Sequence, residues 1–396
     1  MIFLFILIFG VLFLFFNIRQ IAPGNKGSLT AGAIVVVLPI CFFFRGHYWA
    51  CLGQDFLSVW LCEALLIYLL WWMARGILLA VRRRRLERER SIFAARILLV
   101  ATFVVSVVVC AVGYGIHGDY KIREVSVDLP KAAAVSAVVS VQSAFDSSTV
   151  SAPVSVRAPS PFTILFFSDL HIDPLFDRAK LERMIHDADS LRPDYIVFGG
   201  DFADVHDSLL YRDGYDSLVA KLGAVARRGA LAVNGNHEGY MERQGSAPGE
   251  FLKRAGWKFL DDETYCDSVA CFTGRTDFQV SRAREVPRKP LSELAPVSAP
   301  SAVADSRTWI IVDHQPKGIE PEHVGRLPDL ALSGHTHDGQ FFPGTVIIDW
   351  VWRLAYGFGE LDGVKWLVSS GVGSWGPPVR VGSETEMWFL HVHNVR

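Results

Sequence analysis

Apolar and polar positions fall into two distinct patterns along this chain. Up to about residue 116 the apolar residues come in four long runs: Ile2 to Phe16, about Leu29 to Phe44, about Phe56 to Ala74 and about Ile97 to Gly115. A hydrocarbon core about 30 Å thick is crossed by roughly 20 apolar helical residues, so the pattern predicts an N-terminal bundle of about four transmembrane helices. The fourth run is the clearest span, and the first is short. Glu63 in the third run is read as facing the bundle and pairing there rather than as marking an ion path. Beyond residue 161 the apolar runs shorten and most end in polar clusters: Phe162 to Phe167, Tyr195 to Phe198, Ala230 to Val233, Trp309 to Val312, Leu330 to Leu332 and Val346 to Ile348. These read as strands. Helical stretches at Arg178 to Ser190 and Asp216 to Arg228 lie between some of them, as in βαβ crossovers. Lys121 to Val127 alternates like a first strand, whereas Lys131 to Ser160 and about Ser281 to Ser306 read as linker or inserted loop. The expected division is a transmembrane helical module over 1–118, a linker with a candidate first strand over 119–161, and an α/β domain over 162–396.

Charge adds an orientation to this picture. Between the third and fourth runs lie Arg75, Arg82, Arg83, Arg84, Arg85, Arg88, Arg90 and Arg96. The positive-inside rule makes that loop cytoplasmic, so a multi-pass protein of the inner or plasma membrane would carry everything after Tyr120 on its outer face, periplasmic or extracellular. Trp71 and Trp72 beside Arg75 read as an interfacial anchor. The formal net charge of −2 leaves no basic excess for a phosphate backbone, so a nucleic acid is not an expected partner. Of six cysteines, Cys266 and Cys271 flank an Asp-Ser-Val-Ala segment able to turn a hairpin and bring the sulfurs together. An oxidising compartment would permit that pairing.

The polar clusters carry the candidate chemistry. In order they are Asp169-Leu170-His171, Gly200-Asp201, Gly235-Asn236-His237-Glu238, Asp313-His314 and Gly334-His335-Thr336-His337. Each supplies carboxylate, imidazole or amide donors, which suit hard to borderline divalent metals, and most add glycines that let backbones approach closely. Each pair alone is ordinary turn polarity; five in series at the ends of apolar runs point to one metal site. No cysteine takes part, which argues against a structural zinc site.

This ordered series resembles the calcineurin-like metallophosphoesterases, and it covers the chain from about Phe162 to its end. Ser333-Gly334-His335-Thr336-His337 with Gln340, and the tail Gly371-Val372-Gly373 through Pro378 and Arg380, resemble the membrane-anchored bacterial branch and vertebrate transmembrane relatives. The resemblance implies a four-layer α/β/β/α sandwich following the membrane helices. It also implies a first metal held by Asp169, His171 and His337, a second by Asn236, His314 and His335, and Asp201 bridging the two. Mn²⁺, Fe or Zn²⁺ would fill these positions. Two cations about 3.5 to 4 Å apart sharing an oxygen ligand lower the pKa of water and clamp phosphoryl oxygens during in-line attack. His237 is implied as the catalytic group that stabilises or protonates the leaving oxygen. Glu238 and Asp204 would orient histidines. Relatives usually carry Gly where this chain has Asp173 and Asp338, and both are read as exposed carboxylates. Arg380 is read equally as a phosphate contact or a structural ion pair.

The expected activity is therefore hydrolysis of a phosphomonoester or phosphodiester, with a lipid-linked ester such as a phospholipid or a lipid-sugar pyrophosphate favoured by the apolar half. The competing reading is a non-catalytic membrane sensor or scaffold on the same fold; a transporter built from the apolar runs is weaker. Oligomeric state is open.

Overall fold

A computed structural model describes residues 2–22, 47–82, 88–130, 161–298, 303–304 and 307–395, together with residues 24–25, 29 and 32–33. The 131–160 linker, most of the second apolar run and Arg83 to Arg85 lie outside the described residues.

The N-terminal part is helical, with helices at Ile2–Ile21, Tyr48–Arg82 and Arg88–His117. Two of the described helices are long and apolar enough to cross a membrane, Tyr48–Ile77 and Ile92–His117, rather than about four. The first run forms a 20-residue helix, Ile2–Ile21, with Ile8–Ile21 as its shorter apolar segment, and most of the second run lies outside the described residues. The helices pack through Leu14, Leu57, Leu61, Ala64 and Tyr68. Polar contacts tie them as well: Asn17 Nδ2 donates to Ala95 O at 3.0 Å and Trp60 Nε1 donates to Thr102 Oγ1 at 3.1 Å. Glu63 is buried within this unit, as expected of an acid facing the bundle. The Arg75 guanidinium lies 5.7 Å over the Trp72 ring, a contact that favours both groups at one level of the helix. The Ser374–Gly382 segment belongs to the same unit. There Arg380 is fully buried, its Nε donates to Ser374 Oγ at 3.0 Å and its backbone N–H to Gly113 O at 3.0 Å, so it acts structurally in this unit.

The second unit is built on two six-stranded sheets. Its strands are β1 (Lys121–Pro130), β2 (Phe162–Phe167), β3 (Tyr195–Phe198), β4 (Gly229–Ala232), β5 (Lys258–Phe259), β6 (Glu263–Cys266), β7 (Ala270–Gly274), β8 (Val297–Ser298), β9 (Val303–Ala304), β10 (Thr308–Val312), β11 (Leu330–Ser333), β12 (Gly357–Leu361), β13 (Val364–Val368) and β14 (Glu386–Val395). One sheet runs β1-β14-β2-β3-β4-β5 and the other β12-β13-β11-β10-β7-β6, with β8 and β9 a separate pair. In the first, β2 to β5 are parallel and β14 is antiparallel to β2. In the second, β7, β10, β11 and β13 are parallel, with antiparallel β6 and β12 at the edges.

Strand periodicity explains how both faces of these sheets are buried. Ile164, Phe166, Tyr195, Val197 and Leu231 share one core with Phe272, Ile310, Val312, Leu330, Leu332 and Leu367 from the other sheet. The alternate residues Trp309, Ile311, Ala331, Trp366 and Val368 pack a second cluster on the opposite face with Leu291 and Leu361. Strands buried on both sides read as continuous apolar runs, which is why they stood out in the sequence. The helix Arg178–Leu191 starts where Asp177 accepts a hydrogen bond from Ala179 N–H and ends at Arg192 in the left-handed region. It buries Leu181, Met184 and Ala188 along one face.

Three local expectations change. Val346 to Ile348 lies in a helix, Gly344–Val351, because a short β-branched run carries no period of its own and here has no strand to pair with. The Ser281 to Ser306 segment contains the end of the helix Phe278–Arg284 and a turn of helix at Leu291–Leu294. The helix expected over Asp216 to Arg228 ends at Ala224. Cys266 and Cys271 are in register across the β6–β7 hairpin and form a disulfide.

Candidate metal centre

Strand ends bring the polar clusters together. Asp169 and His171 follow β2, Asp201 follows β3, Asn236 and His237 follow β4, His314 follows β10, and His335 and His337 follow β11. Ligands gather at the carboxyl ends of parallel strands because the loops there converge, and two such sheets present both sets of loops to one place. Three groups have ligand atoms mutually within 4.8 Å: Asp169 with His171 and His337, His171 with Asp201 and His237, and Asp201 with His314 and His335.

Backbone conformation is unusual here. Asp169, His171, Asp201, His335 and His337 all have positive φ, between 48° and 74°. Non-glycine residues in this region cost roughly 1 to 3 kcal/mol each and persist where their surroundings hold them. Those holds are visible. Asp169 N–H donates to Gly200 O at 2.9 Å, and His171 N–H donates to Asp201 O at 3.2 Å. Glycines are required where backbones pass these side chains. A Cβ on Gly334 would stand 2.2 Å from Asp169 Oδ2, and one on Gly235 would stand 2.3 Å from Asp201 Oδ1. Gly334→Ala is expected to push Asp169 aside and lower metal affinity by about 10- to 100-fold, the range for disturbing a ligand's support, as read by titration with Mn²⁺.

Asp201 lies at the middle. Its Oδ2 is 3.1 Å from His314 Nε2 and 3.7 Å from His171 Nε2, one histidine from each of the two outer groups. Its Oδ1 accepts from His237 N–H at 2.8 Å. On one side His171 Nε2 and His337 Nε2 face each other at 3.2 Å, with Asp169 Oδ1 3.5 Å from His337. On the other, Asn236 Oδ1 lies 2.6 Å from His335 Nδ1 and 3.2 Å from His314 Nε2.

The donor chemistry tests whether cations fit. His314 Nδ1 lies 2.8 Å from Gly199 O, which only accepts, so Nδ1 carries the proton. A neutral ring then points the Nε2 lone pair at two further acceptor oxygens, Asp201 Oδ2 and Asn236 Oδ1, in a fully buried site. Such crowding of acceptors is relieved only by a second proton or by a cation among them. His171 repeats the logic: its Nδ1 faces Asp204 Oδ1 at 3.1 Å, leaving Nε2 for the cluster. The residues present fit divalent cations.

Electrostatics in the metal-free protein point the same way. Burial pushes His314 down, but the Asp201 carboxylate outweighs it and raises the ring well above its usual range. Burial, followed by the His314 charge, pushes His335 down to about 3. Burial raises Asp169. Asp204 would also be raised by burial, yet His237 and then His171 hold it well below the usual carboxylate range. Strongly shifted groups of both signs crowded into one cleft are the pattern of a functional site.

Glu238 has a distinct task. Its carboxylate accepts from Asp201 N–H at 3.0 Å, Phe202 N–H at 2.7 Å and Gly235 N–H at 2.5 Å, so it ties the loops after β3 and β4 together rather than orienting a histidine. Glu238→Gln replaces one acceptor oxygen with a donor and is expected to lower stability by about 1.5 to 3 kcal/mol, measurable by denaturant unfolding.

Several contributors carried no motif. Asn234, one residue before the Gly235 cluster, donates to Asp261 Oδ1 at 2.8 Å and accepts from Asp277 N–H, while Asp277 Oδ2 accepts from Gln315 Nε2 at 2.6 Å. That chain fixes the loops after β4, β7 and β10. Tyr240 packs on the His237 ring, and Trp352 packs edge-on against His335 with centroids 5.1 Å apart. Asn234 and Gln315 were findable, by their adjacency to Gly235 and His314; the aromatic contacts depend on the fold. Asp173 accepts from Leu175 N–H at 2.9 Å within its own turn, and Asp338 sits in a short 3-10 turn.

Two mixed sheets with Asp, His and Asn clusters at their strand ends are the α/β architecture of a metallophosphoesterase. The model of the calcineurin-like phosphoesterase family matches residues 162–339. A metallophosphoesterase of Aquifex aeolicus is 31% identical over 230 residues, covering 57% of this chain and 82% of that protein. The chain belongs to the calcineurin-like metallophosphoesterases, hydrolases of phosphoric esters. It is also similar to the transmembrane protein with metallophosphoesterase domain of Danio rerio, 28% identical over 57% of this chain and 51% of the relative. The Bos taurus protein of the same name is 29% identical over 60% and 55%. The chain thus spans about half the length of these two vertebrate relatives.

Proposed function

We propose that this protein is a membrane-anchored, two-metal phosphoesterase that cleaves a phosphomonoester or phosphodiester. The observation that carries the reading is the position of Asp201, whose Oδ2 lies between His171 on one side and His314 on the other. In this reading Asp169, His171 and His337 hold one cation, Asn236, His314 and His335 hold the other, and Asp201 is common to both. Bound there, two divalent ions would lower the pKa of water and polarise the phosphoryl oxygens. The protein's own groups do the rest. Asp204 accepts from His171 and His237 and fixes both rings. The Asp204 contact leaves His237 Nε2 as the nitrogen that can hold a proton for the departing oxygen. Trp352 packs edge-on against His335 and Tyr240 against His237. Helices outside the two sheets would complete the four-layer sandwich.

Orientation and substrate are part of the same proposal. The Cys266–Cys271 disulfide supports an oxidising compartment, in line with an outer-face site inferred from the arginine-rich segment around Arg75 to Arg96. A lipid-linked phosphoester suits an enzyme carrying its own apolar helices. The test uses the full chain in detergent, stripped with a chelator and reloaded with Mn²⁺. Turnover of chromogenic phosphomonoester and phosphodiester substrates is expected to vanish on stripping and return on reloading. A folded, metal-loaded protein inert toward these and toward a panel of lipid phosphoesters would favour the sensor or scaffold reading instead.

A further inference from the structure

The Gly344–Val351 helix buries none of its eight residues. Within it Val346 and Trp350 are four residues apart, which aligns them on one side of the helix, and Phe342 lies just before its Pro343 cap. Phe342, Val346 and Trp350 are 45%, 48% and 82% exposed, and Val351 beside them is 51% exposed. The value for Trp350 decides the matter, since a tryptophan carries one of the largest apolar surfaces of any side chain and here nearly all of it is in water. A contiguous exposed apolar patch on a folded domain marks an interaction surface.

Its surroundings narrow the partner. From Phe341 to Trp352 the only ionisable side chain is Asp349, so nothing here matches a phosphate polymer or a charged protein face. An exposed Trp and Val on a short helix, with an exposed Phe just before it, resemble segments that lie in a membrane interface. Two helices of the same chain are long and apolar enough to cross a bilayer, so the proposal rests on the membrane-anchored reading, in which a lipid surface is the apolar phase held near this domain. The helix also leads directly into Trp352, its C-terminal cap, which packs on His335 of the metal centre.

We infer that Phe342, Val346, Trp350 and Val351 form a membrane-docking face at the rim of the candidate metal centre, seated in the interface of a lipid bilayer. This goes beyond the hydrolase reading and does not depend on it. Docked in this way, the helix places the Trp352 and His335 side of the centre beside lipid headgroups, where an ester at the bilayer surface arrives without leaving the membrane.

The experiment uses the full chain in phosphatidylcholine nanodiscs, with Cys41, Cys51, Cys62 and Cys110 replaced by Ala and the disulfide kept. A nitroxide is placed at Trp350→Cys and, separately, at Glu250→Cys, an exposed position in the same domain. Collision with oxygen and with a water-soluble nickel complex reports immersion. The label at 350 is expected to be at least about threefold more accessible to oxygen relative to nickel than the label at 250. Equal, water-like accessibility at the two positions overturns the proposal. So does immobilisation at 350 that appears only as protein per disc rises, since that assigns the face to a second copy of the chain. A cooperative melt matching the Cys-depleted parent keeps misfolding out of the comparison, and no step requires turnover.

Discussion

Asp201→Asn is expected to lower kcat/KM for a chromogenic phosphoester by more than about 100-fold, the upper end of what losing a mere outer partner of a metal ligand costs. The substitution keeps the volume and removes the charge shared between His171 and His314. It also weakens the bond from His237 N–H to Oδ1, so both sides of the centre and the neighbouring histidine loosen together. Metal content by elemental analysis should fall from two equivalents toward one or none. A variant with full metal content and wild-type turnover would remove Asp201 from the centre and, with it, the two-metal reading.

The second large effect falls on His237→Ala. Loss of a positioned proton donor costs about 10²- to 10⁴-fold, and the cost depends on how badly the leaving group needs a proton. His237 is suited to that task. Burial lowers its pKa, but the carboxylates of Asp204 and Asp201 outweigh burial and lift it to about 9, so the metal-free ring holds a proton at neutral pH. An alkyl phosphoester should lose far more rate than a nitrophenyl ester, whose anion leaves unaided. His237 also falls within a possible metal-binding group with His171 and Asp201. Metal analysis separates the roles. Two equivalents retained with a steep leaving-group dependence identify a proton donor, whereas one equivalent lost with all esters equally slowed identifies a ligand.

Much of the second unit was legible in the sequence because its central strands are buried on both faces. Burial on both sides removes polar alternation and leaves short apolar blocks, and the tight turns that follow need the small and polar residues that also make metal donors. Phe162–Phe167 and Asp169 to His171 are the clearest case, with strand and donors adjacent in sequence and in space. Where burial was absent, the reading slipped. Val346 to Ile348 is as β-branched as any strand, yet it sits in a helix with no buried residue, so no packed face existed to set a period. Of the four apolar runs, two form described helices long and apolar enough to cross a membrane, Tyr48–Ile77 and Ile92–His117, while most of the second run lies outside the described residues.

By itself the sequence determined the family and the central strands β2, β3, β4, β10 and β11, each with candidate donors directly after it, because local pattern is enough to read both. It also offered a hairpin able to pair Cys266 with Cys271, five residues apart, and the fold makes the bond. Tertiary structure alone decided which donors meet. His171 and His337 are 166 residues apart and touch at 3.2 Å, a contact fixed by two sheets packing face to face, which no periodicity encodes. It likewise decided that Glu238 fastens two loops, that Trp352 walls His335, and that the helix before Trp352 turns its apolar side outward. Those facts depend on how distant surfaces fill space against one another, and packing of that kind exists only once the chain has folded.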